Sequence, residues 1–401
     1  MSYALPDYLT RNARFDDCPP GHRFGLYFDG WTQDFSIPRD GKTGLFRTVA
    51  GALPEHSRQA LRALCARQQM LAGSLGDSLL THPARLTAPL ATGLGNEHPL
   101  ENGFAFLTPH GLPYLAGSGV KGVLRRAAEE LVKGEWGDAC GWDKTGIDIL
   151  FGLETEPGDT QATHTRGALS FWDLFFQPPG DKAPLLAVEI MTPHHSQYLQ
   201  HDGSPHANEQ PTPIPFLAVA AGSHCTLYVQ CNPALIPADH AELRDGWRAL
   251  IEAAIDLAGE WLGFGAKTAV GYGRLEIDPK VRAQREAERE KQERERQQRE
   301  AEAALALKPA DQQLLDRLTK RLDTLPTDPR TAKPIPQLTS GKDWQPVLDL
   351  VESHVAALAG LAKPPREALA TEIKKRLGQH FKIEGKAEKA MKEKLAAVRG
   401  Q

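Results

Sequence analysis

From His56 to Leu80 the apolar residues Leu61, Leu64, Leu71, Leu75 and Leu79 recur at helical spacing and form one stripe. The same periodicity predicts a helix over Val120–Val132, with Val123, Leu124, Ala127 and Leu131 on one face. A third helix is expected over Leu243–Leu262, where Leu243, Trp247, Leu250, Ile251, Ala254, Ala258 and Trp261 share a side. Between the second and third the pattern changes to short runs rich in branched and aromatic residues. These predict strands at Ala168–Phe176, Leu185–Met191, Ile214–Ala220 and His224–Cys231, with a closing strand at Tyr272–Ile277. The order helix, several strands, helix, strand points to an α+β fold with antiparallel pairing, not to repeated βαβ units.

The apolar pattern stops at Val281–Ala304, VRAQREAEREKQERERQQREAEAA. Glu and Arg recur there three and four residues apart, where each pair supports an exposed helix by roughly a few tenths of a kcal/mol. A solvated connector helix is expected, about 36 Å long at ~1.5 Å per residue. Lacking an apolar seam, it is not a coiled coil. Beyond it, helical patches at Gln312–Leu325, Trp344–Leu361, Arg366–Phe381 and Lys386–Val398 alternate with proline-rich breaks, the pattern of a small helical bundle. The expected division is an N-terminal extension (1–84), an α+β domain (85–278), a connector (279–304) and a basic helical domain (305–401).

Charge sharpens this division. The net charge of −4 hides an acidic excess over 1–280, a balanced connector and a basic excess over 305–401. An acidic domain is a poor non-specific partner for nucleic acid, so an RNA role within 1–280 needs local basic patches or partner subunits. Apolar runs such as Phe216–Ala221 fall far short of the ~18 residues of a membrane helix, and the N-terminus carries no apolar leader. The 5 cysteines are widely spaced, with Cys225 and Cys231 placed to flank a hairpin. A reduced, cytoplasmic protein without a membrane partner is expected.

Two glycine-rich stretches hold the candidate chemistry. Gly117-Ser-Gly-Val-Lys-Gly122 matches G-x-G-x-x-G. A dinucleotide site also needs a buried strand before the motif, then a helix, a second strand and an acidic residue ~20 positions on. Here Pro113 interrupts the preceding segment, a loop follows the helix, and Asp138 and Asp143 terminate no strand, so no small-molecule cofactor is expected. What remains is a helix start with Ser118 as N-cap and free N–H groups, followed by Lys121, Arg125 and Arg126. Cations at that end oppose the helix dipole, and a polyanion would offset them. A glycine turn with solvated basic residues is the alternative. The second stretch, Trp261–Arg274 (WLGFGAKTAVGYGR), brackets Lys267 and Thr268 with four glycines. Two basic glycine loops in one α+β domain suggest a surface that follows a phosphate backbone.

At these residues the chain resembles a known family. PYLAGSGVKGVLRRA is similar to the P-x-x-P-G-S-S-x-K-G-x-x-R signature of the repeat-associated mysterious protein (RAMP) superfamily of CRISPR systems, and LGFGAKTAVGYGRL to its C-terminal glycine-rich loop. EIMTPHHSQYL followed by PTPIPFLAVAAGSHCTLYV resembles the sixth-subunit family of type III-B (Cmr) effector complexes. The resemblance covers about residues 85–277. It implies a ferredoxin-like (RRM-like) βαββαβ domain with an antiparallel sheet, in a ribonucleoprotein of antiviral defence built around a guide RNA. The implied subunit sits toward the guide's 3′ end, contacts neighbouring subunits and does not cleave the target. Guide RNA and other Cmr subunits become the expected partners, with target RNA a further candidate. Gly117, Ser118, Lys121 and Arg125 become candidate guide-backbone contacts, and Lys267 and Thr268 weaker ones. The signature's second proline is Ala116 and its second serine is Gly119, so any hydroxyl contact at the latter is lost.

His194, His195, His201 and His206, with Tyr198, crowd one polar stretch. A simple insertion loop competes there with metal-independent RNA cleavage by His or Tyr as general acid and base, and with zinc binding. Adjacent His194 and His195 would face opposite sides of a strand, and the spacing fits no standard zinc motif. No catalytic residue and no metal ligand is therefore assigned, and a ribonuclease processing CRISPR RNA stands as the alternative function. In the tail, Lys374-Lys-Arg376 and KAEKAMKEK could grip phosphates, dock a neighbouring subunit or form a solvated face.

Overall fold

The N-terminal part of the chain is organised around β1 (Leu79–Leu86), whose residues alternate between core and solvent: Leu80, His82, Ala84 and Leu86 are buried, Thr81, Pro83 and Arg85 exposed. The structure is a computed structural model describing residues 4–10, 15–37, 41–153, 165–192, 213–306, 308–323, 337–338, 341–382 and 385–400. The chain separates into two units, Met1–Gln284 and Arg285–Gln401.

In the first unit the helices of eight or more residues are α1 (Lys42–Val49), α2 (Glu55–Leu75), α3 (Gly117–Lys133), α4 (Lys144–Phe151) and α5 (Glu242–Leu257). After β1 come β2 (Phe106–Leu107), β3 (Leu112–Leu115), β4 (Leu169–Phe171), β5 (Leu174–Phe175), β6 (Leu186–Met191), β7 (Ile214–Val219), β8 (His224–Cys231) and β9 (Leu275–Ile277). The main sheet has the order β4-β8-β1-β9 and is antiparallel throughout, with Leu79 opposite Gln230, Leu86 opposite Leu275 and Leu169 opposite Cys231. Reading β1-α3-β4-β8-α5-β9 along the chain gives the ferredoxin-like βαββαβ unit. α3 and α5 pack against each other, burying Val120, Leu124, Ala127 and Leu131 from one and Trp247, Leu250, Ile251 and Ala254 from the other. Each leucine, isoleucine or valine among them removed from water contributes ~1.5–3 kcal/mol. A small antiparallel sheet, β2-β3-β5, and the β6–β7 hairpin are inserted into this unit.

Several elements differ from the sequence expectation. The helix predicted to reach Leu80 ends at Leu75, because Gly76 adopts φ +49 and breaks it. Leu79 and Leu80 then open β1, which begins ahead of the boundary expected at 85. Of the predicted stripe, Leu61 and Leu64 are buried, whereas Leu71 is 54% exposed. The run Ala168–Phe176 is two strands, β4 and β5, separated at Trp172-Asp173, where β4 leaves β8 and β5 turns to pair with β3. Residues before α2 are not a separate extension: Phe24, Phe28, Phe46 and Val49 join the same apolar core as α3, α5 and β8, and His98 stacks on Phe24 at 3.6 Å.

The long charged helix α6 (Pro279–Ala306) has 28 residues, and Arg294–Glu290 at 3.2 Å is one of its i,i+4 pairs. The second unit gathers α7 (Ala310–Asp323), α8 (Gly341–His354), α9 (Lys363–His380) and α10 (Lys386–Arg399) around Leu314, Leu318, Val351, Ile373, Leu395 and Val398. It is the small helical bundle read from the sequence.

Candidate nucleic-acid interface

α3 starts directly after β3, and its first turn is anchored from elsewhere in the chain. Ala116 is the N-cap residue and its side chain makes no cap bond; the Gly117 N–H donates to Asp173 Oδ1 at 2.7 Å. Ser118, expected to be the cap, lies inside the helix and is exposed. The capping role has passed to a carboxylate 56 residues away, which local spacing cannot reveal. Gly117 is fixed by close packing, because a Cβ there would lie 2.2 Å from the Phe171 carbonyl oxygen. Gly122 has no such neighbour within 4 Å. The one glycine of the motif that closely approaches backbone thus approaches the chain's own strand.

A strand does precede the motif, contrary to the sequence reading, but β3 is the middle strand of an antiparallel sheet. Asp138 and Asp143 are both used locally: Asp138 accepts from the Cys140 N–H at 3.1 Å, and Asp143 caps α4 by accepting from the Gly146 N–H at 2.6 Å. The arrangement is not that of a parallel dinucleotide-binding unit.

The three cations of the first turns separate clearly. Arg125 is turned inward: its Nε donates to Glu129 at 3.1 Å, one terminal nitrogen donates to the Gly152 carbonyl at 2.8 Å, and the other lies 3.7 Å from Asp148. It binds the helix to the end of α4. Arg126 pairs with Glu130, which also accepts from Lys133 at 3.2 Å. The Lys133 hydrogen bond, aided by the Arg126 charge, holds the Glu130 carboxyl below the usual carboxylate range. Lys121 is half-buried and makes no ion pair or hydrogen bond with any described residue.

The second loop is closed upon itself. Gly263, Gly265 and Gly273 have φ of +77, +85 and +73, and Cβ atoms there would come within 2.5, 2.3 and 1.8 Å of the Tyr272, Ala91 and Phe264 carbonyl oxygens. Phe264 N–H donates to Gly273 O at 2.8 Å, and Ala266 N–H to Ala91 O at 2.7 Å. These glycines satisfy the fold. Lys267, itself at φ +60, lays its Nζ 2.6 Å from Met191 Sδ and 5.3 Å from the centroid of Phe216. Thr268 packs against Gly263. Tyr272 donates to Glu189 at 2.9 Å, and burial first, then Glu189, pushes its hydroxyl up to about 12. The loop therefore rests on the β6–β7 hairpin.

The two motifs are not one cluster. Trp136, just past the end of α3, packs at a tilt against Trp261 with centroids 5.4 Å apart, so the second loop begins beside the far end of that helix. α3 has 17 residues and is about 25 Å long at ~1.5 Å per residue. No hydrogen bond or ion pair joins the motifs among the described residues.

Cys225 and Cys231 do not flank a hairpin; both lie in β8, and burial pushes their thiols up to about 12 and about 11. The stretch His194–His206 lies outside the described residues. Among the described residues, no cluster of His, Cys, Asp or Glu is placed to hold a metal ion, and no helix is long and apolar enough to cross a membrane.

The family model of the RAMP superfamily matches residues 84–276. This segment is similar to RAMP superfamily domains. It runs from within β1 into β9 and contains both glycine loops. The structure is also similar to a chain in the cryo-EM structure of the Type III-B Cmr-beta bound to cognate target RNA, at 16% identity over 59% of this chain and 71% of that chain, with a TM-score of 0.41. Another similar structure is the crystal structure of Cmr6 from Pyrococcus furiosus, at 24% identity over 50% of this chain and 98% of that chain, with a TM-score of 0.26. No curated protein matches the sequence.

Beside the start of α3 lie residues to which the sequence alone gave no role. Gln68 of α2 donates to the Asp173 carbonyl at 2.9 Å, and the Trp172 ring packs at a tilt against Tyr228, with centroids 5.0 Å apart. The one available signal was the pair Trp172-Asp173 in the middle of an otherwise apolar strand-like run.

Proposed function

We propose that this chain is a non-catalytic RNA-binding and scaffolding subunit of a type III-B (Cmr) CRISPR ribonucleoprotein, contacting guide RNA near its 3′ end together with neighbouring subunits. The observation that carries this reading is Lys121. The guanidinium groups of Arg125 and Arg126 are neutralised by the chain's own carboxylates, whereas the Lys121 ammonium has no partner among the described residues. A phosphate at this helix start satisfies both the ammonium and the partial positive charge of the first turn. Ser118 is exposed on the same turn and adds a hydroxyl donor. Gly117 and Arg125 support the surface from behind, Gly117 through Asp173 and Arg125 through α4. Lys267 and Thr268 act through the hairpin on which their loop rests. The basic helical domain adds phosphate contacts at a second place.

The test is Lys121→Glu in the assembled complex. Guide RNA retention should fall while the circular dichroism and thermal unfolding of the isolated chain stay unchanged. Equal RNA occupancy in mutant and wild type would reduce the motif to a glycine turn. The purified chain should also leave repeat-containing RNA intact with or without divalent metal. Cleavage that disappears in His194→Ala or His195→Ala would replace this reading with that of a ribonuclease.

A further inference from the structure

We infer that the groove between α2 and the β4–β5 corner is a nucleobase subsite, taking one unpaired base of the RNA strand whose phosphate is bound by Lys121. The inference rests on the RNA reading of Lys121 and adds what lies next to it. The groove is an open depression of about 420 Å³ whose apolar lining includes Leu71, Phe171, Trp172 and Phe175. Its polar wall carries Arg67, Gln68 and Asp173.

The groove is built before any ligand arrives. The Trp172 backbone N–H donates to the Tyr228 carbonyl at 3.2 Å and its ring packs against the Tyr228 ring at a tilt of 34°, which limits the freedom of the indole. Gln68 ties α2 to the Asp173 carbonyl, and the Asp173 carboxylate ties the groove to the first residue of α3. A preorganised aromatic face of this kind loses little conformational freedom on binding.

Charge selects the occupant. Asp173 Oδ1 already accepts from Gly117, so the acid at the mouth is partly satisfied internally and retains acceptor capacity for a base amino group. Arg67 is exposed and has no partner among the described residues. Lys121 stands one helical turn beyond Gly117 on the same side of α3, since residues four apart are neighbours on a helix. Arg67 and one acceptor thus line an open groove walled by aromatic residues, with the helix start beside it and Lys121 one turn further along α3. An anionic chain carrying flat, hydrogen-bonding rings matches each of these features. An apolar protein segment would use only the walls and leave both cations unanswered.

The experiment uses the full chain and a fluorescein-labelled single-stranded RNA of mixed sequence, with binding followed by anisotropy across a salt series. A second probe is an abasic strand of the same length, which keeps the phosphates and lacks the rings. Trp172→Ala should weaken binding of the ordinary RNA by ~5–150-fold, the loss of one stacked base, without changing the salt slope. Trp172→Phe should restore most of that loss. The abasic strand should bind wild type and Trp172→Ala alike, a comparison that separates stacking from damage to the fold. Lys121→Glu should lower the salt slope. If Lys121→Glu weakens binding while Trp172→Ala does not, the RNA reading stands and the subsite is wrong. If Trp172→Ala instead releases a neighbouring protein from the complex with RNA affinity intact, the groove is a protein dock and the inference is overturned. If no variant, Lys121→Glu included, alters RNA binding, the RNA reading fails and the subsite with it.

Discussion

Replacing Gly117 with alanine should damage the fold, although Gly117 sits in the motif that reads as a phosphate site. The new Cβ would lie 2.2 Å from the Phe171 carbonyl oxygen and 2.9 Å from its carbon, both backbone atoms of β4. Ordinary contact begins near 3.4 Å, so strand and helix must separate by about an ångström, and overpacking of that kind costs ~1–3 kcal/mol. The same movement lengthens the 2.7 Å bond from Gly117 to Asp173. Gly122→Ala, one turn later in the same helix, meets nothing within 4 Å. It should be neutral or stabilising by up to ~1 kcal/mol, because alanine is the better helix former. The two substitutions are chemically identical and should differ in sign. Thermal unfolding read by tryptophan fluorescence should show Gly117→Ala melting roughly 2–12 °C lower, at ~2–4 °C per kcal/mol for a unit of this size. Gly122→Ala should melt at or above wild type. Equal melting temperatures for Gly117→Ala and wild type would refute the packing reasoning and return Gly117 to a role at the RNA.

Tyr272 holds its proton more tightly in the folded chain, with its hydroxyl pushed from 10.0 to about 12. The stability it carries is fully present below pH 10 and is lost as pH rises toward 12; Tyr272→Phe should flatten that window in urea unfolding, and an unchanged pH profile would count against the burial of the hydroxyl and its Glu189 contact. Asp173→Ala removes the acceptor for Gly117 and should cost ~0.5–2 kcal/mol by the usual scale of a lost cap, measured in the same denaturant series. Cys140 is exposed while Cys225 is buried with its thiol raised to about 12, so mass spectrometry after alkylation at pH 8 should find Cys140 labelled and Cys225 protected. Cutting the chain after Gln284 should leave a folded first unit; loss of the basic bundle should flatten the salt dependence of RNA binding by the complex if the tail grips phosphates, and an aggregating fragment would contradict the division.

How much of this was legible in the sequence differs by element. The apolar stripes of α3 and α5 and the run His224–Cys231 were readable because burial alone dictates their spacing. β1 was missed because Leu79 and Leu80 continue the period of α2, and only the left-handed turn at Gly76 separates the two. The N-terminal residues looked like an extension because the partners of Phe24 and Phe46 lie far along the chain. At the site, Lys121 was legible as a cation at a helix start. The fates of Arg125 and Ser118 were not, since Glu129, Asp148, Gly152 and Asp173 settle them through tertiary contacts. The glycines of the second loop suggested a ligand surface. Their positive φ values and the carbonyl oxygens around them show a loop folded onto itself.

The most direct test of the central claim is purification of the full chain from its native host, with sequencing of the RNA and identification of the proteins that elute with it. Guide RNA derived from CRISPR repeats should co-elute with other RAMP-domain proteins, and the RNA should be depleted when Lys121→Glu replaces the wild type. A chain that elutes without RNA, or with RNA unrelated to CRISPR repeats and no RAMP-domain partner, contradicts the claim.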